Sequence, residues 1–147
     1  METNNAFMWA MRQFLEDQPR GARLNVAYYL GVNKSYVSDM ISGRRGVSDK
    51  NREKIAEYFG STVPDMLIMG EDVRRGLPWF PWTTSMSNLP RTTQAEEIMR
   101  RTSVYFGIQN IGGNIRPDAP EKERFLSGEI DQAAFYAHYR GVLRRIA

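Results

Sequence analysis

Arg23–Ser42, RLNVAYYLGVNKSYVSDMIS, decides how this chain folds. The spacing predicts a helix over Ala22–Leu30, with Leu24, Ala27 and Leu30 on one side. Gly31 stops it, because a helix C-terminus favours a residue that accepts a positive φ. Asn33 is a good N-cap for a helix over Lys34–Ser42, which Gly43 closes. Ala27 is a small residue where one helix crosses the next, and Val37 is a branched apolar residue to seal the contact. Val26, Leu30, Val32 and Met40 fill the remaining inward positions. The result is two short helices joined by a tight turn.

Upstream, residues 5–17 place Phe7, Met8, Met11, Phe14 and Leu15 at amphipathic spacing, and Pro19 and Gly21 end that helix. Downstream, Ser48 or Asp49 caps a helix to Phe59 that turns Ile55, Ala56 and Phe59 inward and ends at Gly60. A short fifth helix follows Ser61-Thr62, with Pro64 and Asp65 in its first turn and Met66, Leu67 and Met69 as its apolar side. Five short helices make a compact all-α unit over residues 1–70.

From Glu71 to Thr93 no period is sustained, and Pro, Trp and Gly interrupt the chain. This stretch is expected to be an extended linker. Its Trp79, Phe80 and Trp82 either dock a partner or pin the linker onto the first domain. Residues 94–147 are expected to form a small helical C-terminal region. Its first helix is Gln94–Phe106, turning Ile98, Met99, Thr102, Tyr105 and Phe106 to one face. A loop follows through IQNIGGNIRPDAP. A terminal helix, Glu129–Ile146, carries Ile130, Ala133, Ala134, Ala137, Val142 and Ile146 as its apolar residues.

Charge is unevenly spread. From Arg20 to Lys54 there are eight basic residues against Asp39, Asp49 and Glu53, so this span holds more positive charge than the +3 of the whole chain. Positive charge clustered on one motif suits a polyanionic partner. Cysteine is absent, which excludes disulfides and thiolate metal sites and suits a reducing cytoplasm. His138 is the only histidine, so neither a metal nor a cofactor is expected. No run approaches the eighteen or so apolar residues of a membrane span, and residues 1–14 lack the pattern of a secretion signal.

The Ala27–Gly31–Val37 spacing is that of a helix-turn-helix. Through LGVNKSYVSDMISGRR and EKIAEYFGSTVPDML the chain resembles the lambda-repressor-like, Cro-type helix-turn-helix domains of phage repressors and bacterial regulators. The resemblance covers roughly residues 5–70. It implies that the Lys34–Ser42 helix enters the major groove of double-stranded DNA, with Lys34, Ser35, Ser38 and Asp39 toward base edges and Tyr36 at the margin. Lys34 would donate to guanine. Asp39 would accept from cytosine or pair with a neighbouring arginine. Tyr36 would pack, touch phosphate or meet a thymine methyl. Arg44, Arg45 and Arg23 would meet phosphates, supplying affinity and salt dependence. The chain departs from the family by carrying Ile41 and Ser42 where members often hold an acid.

Such domains usually act as dimers on two-fold sites, so a homodimer is expected, held by residues 75–147. Tyr105, Phe106, Phe135, Tyr136 and Tyr139 would form a symmetric interface or pack the region's own core. The expected function is transcription regulation by a repressor of phage or prophage type. A rival reading is an antitoxin-like or other protein-interaction module that binds a partner, a toxin or an antirepressor, through its C-terminal half and autoregulates its own promoter. Autoproteolysis is excluded by Lys122 being the only lysine of that half and by the lack of Ala-Gly or Cys-Gly sites. No catalysis is expected: His138 has no nucleophile nearby, and Glu121, Glu123 and Glu129 are spaced as surface charges.

Overall fold

Apolar positions at helical spacing, broken by glycines and polar caps, leave little room for strands. The computed structural model describes residues 3–19, 21–106 and 119–146, and among these it contains eight helices and no strand. They are α1 (Thr3–Asp17), α2 (Ala22–Leu30), α3 (Lys34–Ser42), α4 (Asp49–Tyr58), α5 (Val63–Arg74), α6 (Arg91–Tyr105), α7 (Ala119–Leu126) and α8 (Gln132–Ile146). The chain is all-α. It divides into two compact units, Met1–Ser85 and Met86–Ala147. Of the expected loop, residues 108–120, those up to 118 lie outside the described residues, as does Arg20, while Ala119 and Pro120 belong to α7.

In the first unit α1 packs chiefly against α5. Phe7, Met11 and Phe14 are fully buried, each contributing about 1.5–3 kcal/mol. The helices approach so closely that a Cβ on Gly70 would sit 1.7 Å from the carbonyl oxygen of Ala6. Only glycine fits there. Phe14 also stacks on Phe59 at 4.8 Å, joining α1 to the end of α4.

Local caps set the boundaries. Gly31 takes φ 74° and closes α2, while the Asn33 side chain accepts the Tyr36 N–H at 2.8 Å and opens α3. Ser48 Oγ and Thr62 Oγ1 open α4 and α5 in the same way, accepting from Asn51 and Asp65. Val26, Ala27, Leu30, Val37 and Met40 are buried as expected, and Val32 is half-buried. Leu24 is not inward: it is 55% exposed. It lies two positions, roughly 200°, around the helix from Val26, so burying Val26 turns it to the surface.

Residues 71–93 are not one extended segment. α5 continues through Arg74, with an Arg74–Glu71 ion pair one turn apart, and α6 already begins at Arg91. Between them Phe80 and Trp82 are buried. Trp82 Nε1 donates to the Gly60 carbonyl at 3.2 Å, and Ser61 Oγ donates to the Pro81 carbonyl at 3.1 Å. The fully buried Asp65 carboxylate accepts from the Thr84 N–H at 2.7 Å, the Thr84 hydroxyl at 2.6 Å, and both the N–H and hydroxyl of Ser85. Four donors on one buried carboxylate offset its desolvation. Residues 75–85 therefore strap the first unit, the second of the two roles open to Trp79, Phe80 and Trp82.

The second unit packs α6, α7 and α8 against one another. Phe125 of α7 stacks on Phe135 of α8 at 4.9 Å, and Arg91 lies 4.7 Å over Phe125. Gln94, buried on α6, donates to the carbonyls of Met86 and Leu89 and accepts from Gln132. Ser103 Oγ and the Tyr139 hydroxyl share a hydrogen bond of 3.0 Å. α7 answers to no helix expected from the sequence. Tyr105, Phe106, Phe135, Tyr136 and Tyr139 are all buried within the chain, so these side chains offer no exposed face to a second copy. α8 likewise buries Phe135, Tyr136, Tyr139 and Leu143 and leaves Ala134 and Ala137 exposed, the reverse of the alanine-lined face expected. Burying an aromatic ring removes far more apolar surface than burying a methyl, which sets the rotation of the helix.

Candidate nucleic-acid interface

The sequence dictates a short helix whose inner face is apolar and whose leading edge is polar. In α3, Val37, Met40 and Ile41 are buried, while Lys34 and Ser35 are exposed and Tyr36, Ser38 and Asp39 are half-buried. The Asn33 cap fixes the first turn, so the exposed edge is presented by a helix that begins at one defined residue.

At the other end of α3 two arginines are held in distinct ways. Arg44 Nε lies 3.7 Å from the Asp39 carboxylate and donates to Ser42 Oγ at 3.1 Å, while Ser42 Oγ donates to the Asp39 carbonyl. The Arg44 side chain is 76% exposed, so the ion pair is weak and its charge stays open to water. Arg45 folds back over the Tyr36 ring at 4.2 Å, and its N–H donates to the Asp39 carbonyl. Cations beside a helix C-terminus also complement its partial negative charge. Of the roles open to them, Asp39 takes an arginine partner and Tyr36 a packing one in this structure.

Arg23 and Lys34 come together from different helices. Both line a cleft of about 450 Å³ at the junction of α1, α2 and α3, and neither forms a salt bridge among the described residues. The same cleft holds Arg12, a residue to which the sequence reading gave no role. Arg12 Nε donates to the Ile41 carbonyl at 2.8 Å, and its guanidinium lies 5.2 Å over Trp9. The bond satisfies one of the carbonyls that the last turn of α3 leaves without an intrahelical partner. Nothing in the periodicity signals it, because it spans 29 residues. Arg44 and Arg45 do not line this cleft.

Among the described residues no cluster of His, Cys, Asp or Glu could hold a metal ion, and no helix is long and apolar enough to cross a membrane. What the arrangement offers is exposed cationic and hydroxyl donors on a rigid helical frame. Compared with protein-family models, with curated proteins and with solved structures, the chain matches none.

Proposed function

We propose that the chain is a sequence-specific DNA-binding regulator that lays α3 in the major groove, with α1–α5 arranged as in the lambda-repressor-like domains. The observation that carries this reading is the charge around α3. Arg23, Lys34 and Arg45 meet no carboxylate among the described residues, and Arg44 only a distant one. Unneutralised cations on both sides of an exposed polar helix edge suit phosphates flanking a groove.

In this reading Lys34 and Ser35, at the capped start of α3, reach base edges, with Ser38 behind them. Asp39 orients Arg44, and Tyr36 orients Arg45, so that both arginines meet phosphate with their side chains already placed. Arg23 engages the backbone beside the N-terminus of α2. One small helical domain buries little surface, so two copies are expected on a two-fold site. The resemblance to phage repressors favours repression by occupying an operator, within the cytoplasm.

The test is selection of duplexes from a random-sequence library on the full chain at physiological salt, beside an Arg44→Ala/Arg45→Ala control. Enrichment of a two-fold motif, lost in the control, is the expected result. Recovery of no motif, or equal recovery by the control, overturns the reading.

A further inference from the structure

The cleft at the junction of α1, α2 and α3 is larger than a contact with one backbone phosphate requires. Its volume of about 450 Å³ lies in the range of small-molecule sites, roughly 300–1,000 Å³. Arg12, Arg23 and Lys34 supply positive charge, and Glu16 is the one acid among its described lining residues. Leu15, Pro19 and Ile41 supply apolar surface. Arg12 is anchored through Nε to the Ile41 carbonyl, which leaves both terminal amino groups of its guanidinium free of that bond. α2 opens beside it with Gly21 at its N-cap and no side-chain cap.

A DNA phosphodiester is a single negative charge on a sugar backbone, and in the reading above the exposed Arg23 meets it from outside while Lys34 turns to a base edge. Net positive charge together with an apolar wall suits a different ligand: a doubly charged phosphate ester carrying an organic body. Guanidinium groups bind such phosphates with paired, charge-assisted hydrogen bonds.

We propose that this cleft binds a small organic phosphomonoester, and that such a ligand releases DNA because it engages Arg23 and Lys34. The release rests on the DNA-binding reading above, whereas the binding does not.

The test uses the full chain and phenyl phosphate as probe, titrated by calorimetry at fixed ionic strength beside inorganic phosphate and phenol. Phenyl phosphate is expected to bind at least about tenfold more tightly than either. Arg12→Gln should weaken it about tenfold, and Glu16→Gln, at an exposed position, should tighten it. Equal affinity for phenyl phosphate and inorganic phosphate, or indifference of binding to Glu16→Gln, overturns the site. A second arm follows a labelled duplex selected as above. Its release by phenyl phosphate from the wild type, at concentrations that leave Arg12→Gln bound, is the expected result. Phenyl phosphate that binds without releasing the duplex overturns the competition. Failure of the duplex to bind in the absence of any probe overturns the DNA reading alone, and calorimetry then still decides the cleft.

Discussion

Along α6 and α7 three arginines are answered by acids nearby in the chain, whereas Arg91, at the start of α6, lies on the Phe125 ring and donates to the carbonyls of Phe125 and Ile130. Arg100 and Arg101 both reach Glu97, and Arg124 lies between Glu121 and Glu129. Around α2 and α3, Arg23 and Lys34 meet no carboxylate among the described residues, Arg45 lies on a tyrosine ring, and Arg44 has only the Asp39 carboxylate at 3.7 Å. Arg74, paired with Glu71 on α5, follows the pattern of α6 and α7. The contrast therefore belongs to the α2–α3 region and not to the whole first unit. Arginines that close ion pairs within a helix serve that helix. Arg44 and Arg45, held by a hydroxyl and a ring, keep exposed charge at the surface.

Four measurements put that contrast to the test. The largest effect is expected from Phe135→Ala, which removes one ring of the α7–α8 stack and should cost about 3–5 kcal/mol. Hydrogen exchange should show α6–α8 losing protection while α1–α5 keep theirs; loss across both would mean that the two units do not open separately. Asp65→Ala comes next, since it leaves the Thr84 and Ser85 donors buried without their acceptor, at about 3 kcal/mol by denaturant unfolding. Here the loss of protection should fall on the first unit.

The third measurement addresses the contrast itself. Arg44→Ala/Arg45→Ala should lower duplex affinity about a hundredfold at low salt and flatten the salt slope by roughly two contacts, near 0.9 each. Arg100→Ala/Arg124→Ala should change affinity by less than about twofold. An equal loss from the second pair would erase the distinction. The smallest effect is Glu97→Gln, at no more than about 0.5 kcal/mol. The hydrogen bond from Arg100 holds the Glu97 carboxyl below its ordinary value, with Arg101 adding to the effect and partial burial opposing it. A lowered carboxyl stabilises the fold above its unfolded value and loses that contribution as pH falls through the folded one. The unfolding temperatures of wild type and variant should thus differ near neutrality and converge in acid; a constant gap would show that the pair is not what differs.

The same contrast explains what could be read in advance. The bounds of α2 and α3 follow from Gly31, Asn33 and Gly43, each acting on neighbours a few residues away. The exposed Lys34 and the two arginines after α3 were legible for the same reason. Arg12 was not, because its partner lies 29 residues off. The Asp65 carboxylate looked like an ordinary acid in the first turn of a helix, and its donors arrive from 19 and 20 residues downstream. Gly70 gave no local sign of the Ala6 backbone pressed against it. In α8 the periodicity offered both an alanine face and an aromatic one, and packing with α6 and α7 chose the aromatic. α7 itself is eight residues long and charged, too short for its period to stand out.

The strap over residues 75–85 also orders events during synthesis. When Arg74 leaves the ribosome all five helices of the first unit exist as sequence, yet Gly60 lacks Trp82 and Asp65 lacks every one of its donors from Thr84 and Ser85. At elongation rates of roughly 5–20 residues per second the missing stretch follows within about half a second to two seconds. A nascent chain stalled in that interval would hold a carboxylate that its finished neighbourhood was built to enclose, and such a pause is where a chaperone or a protease would meet it.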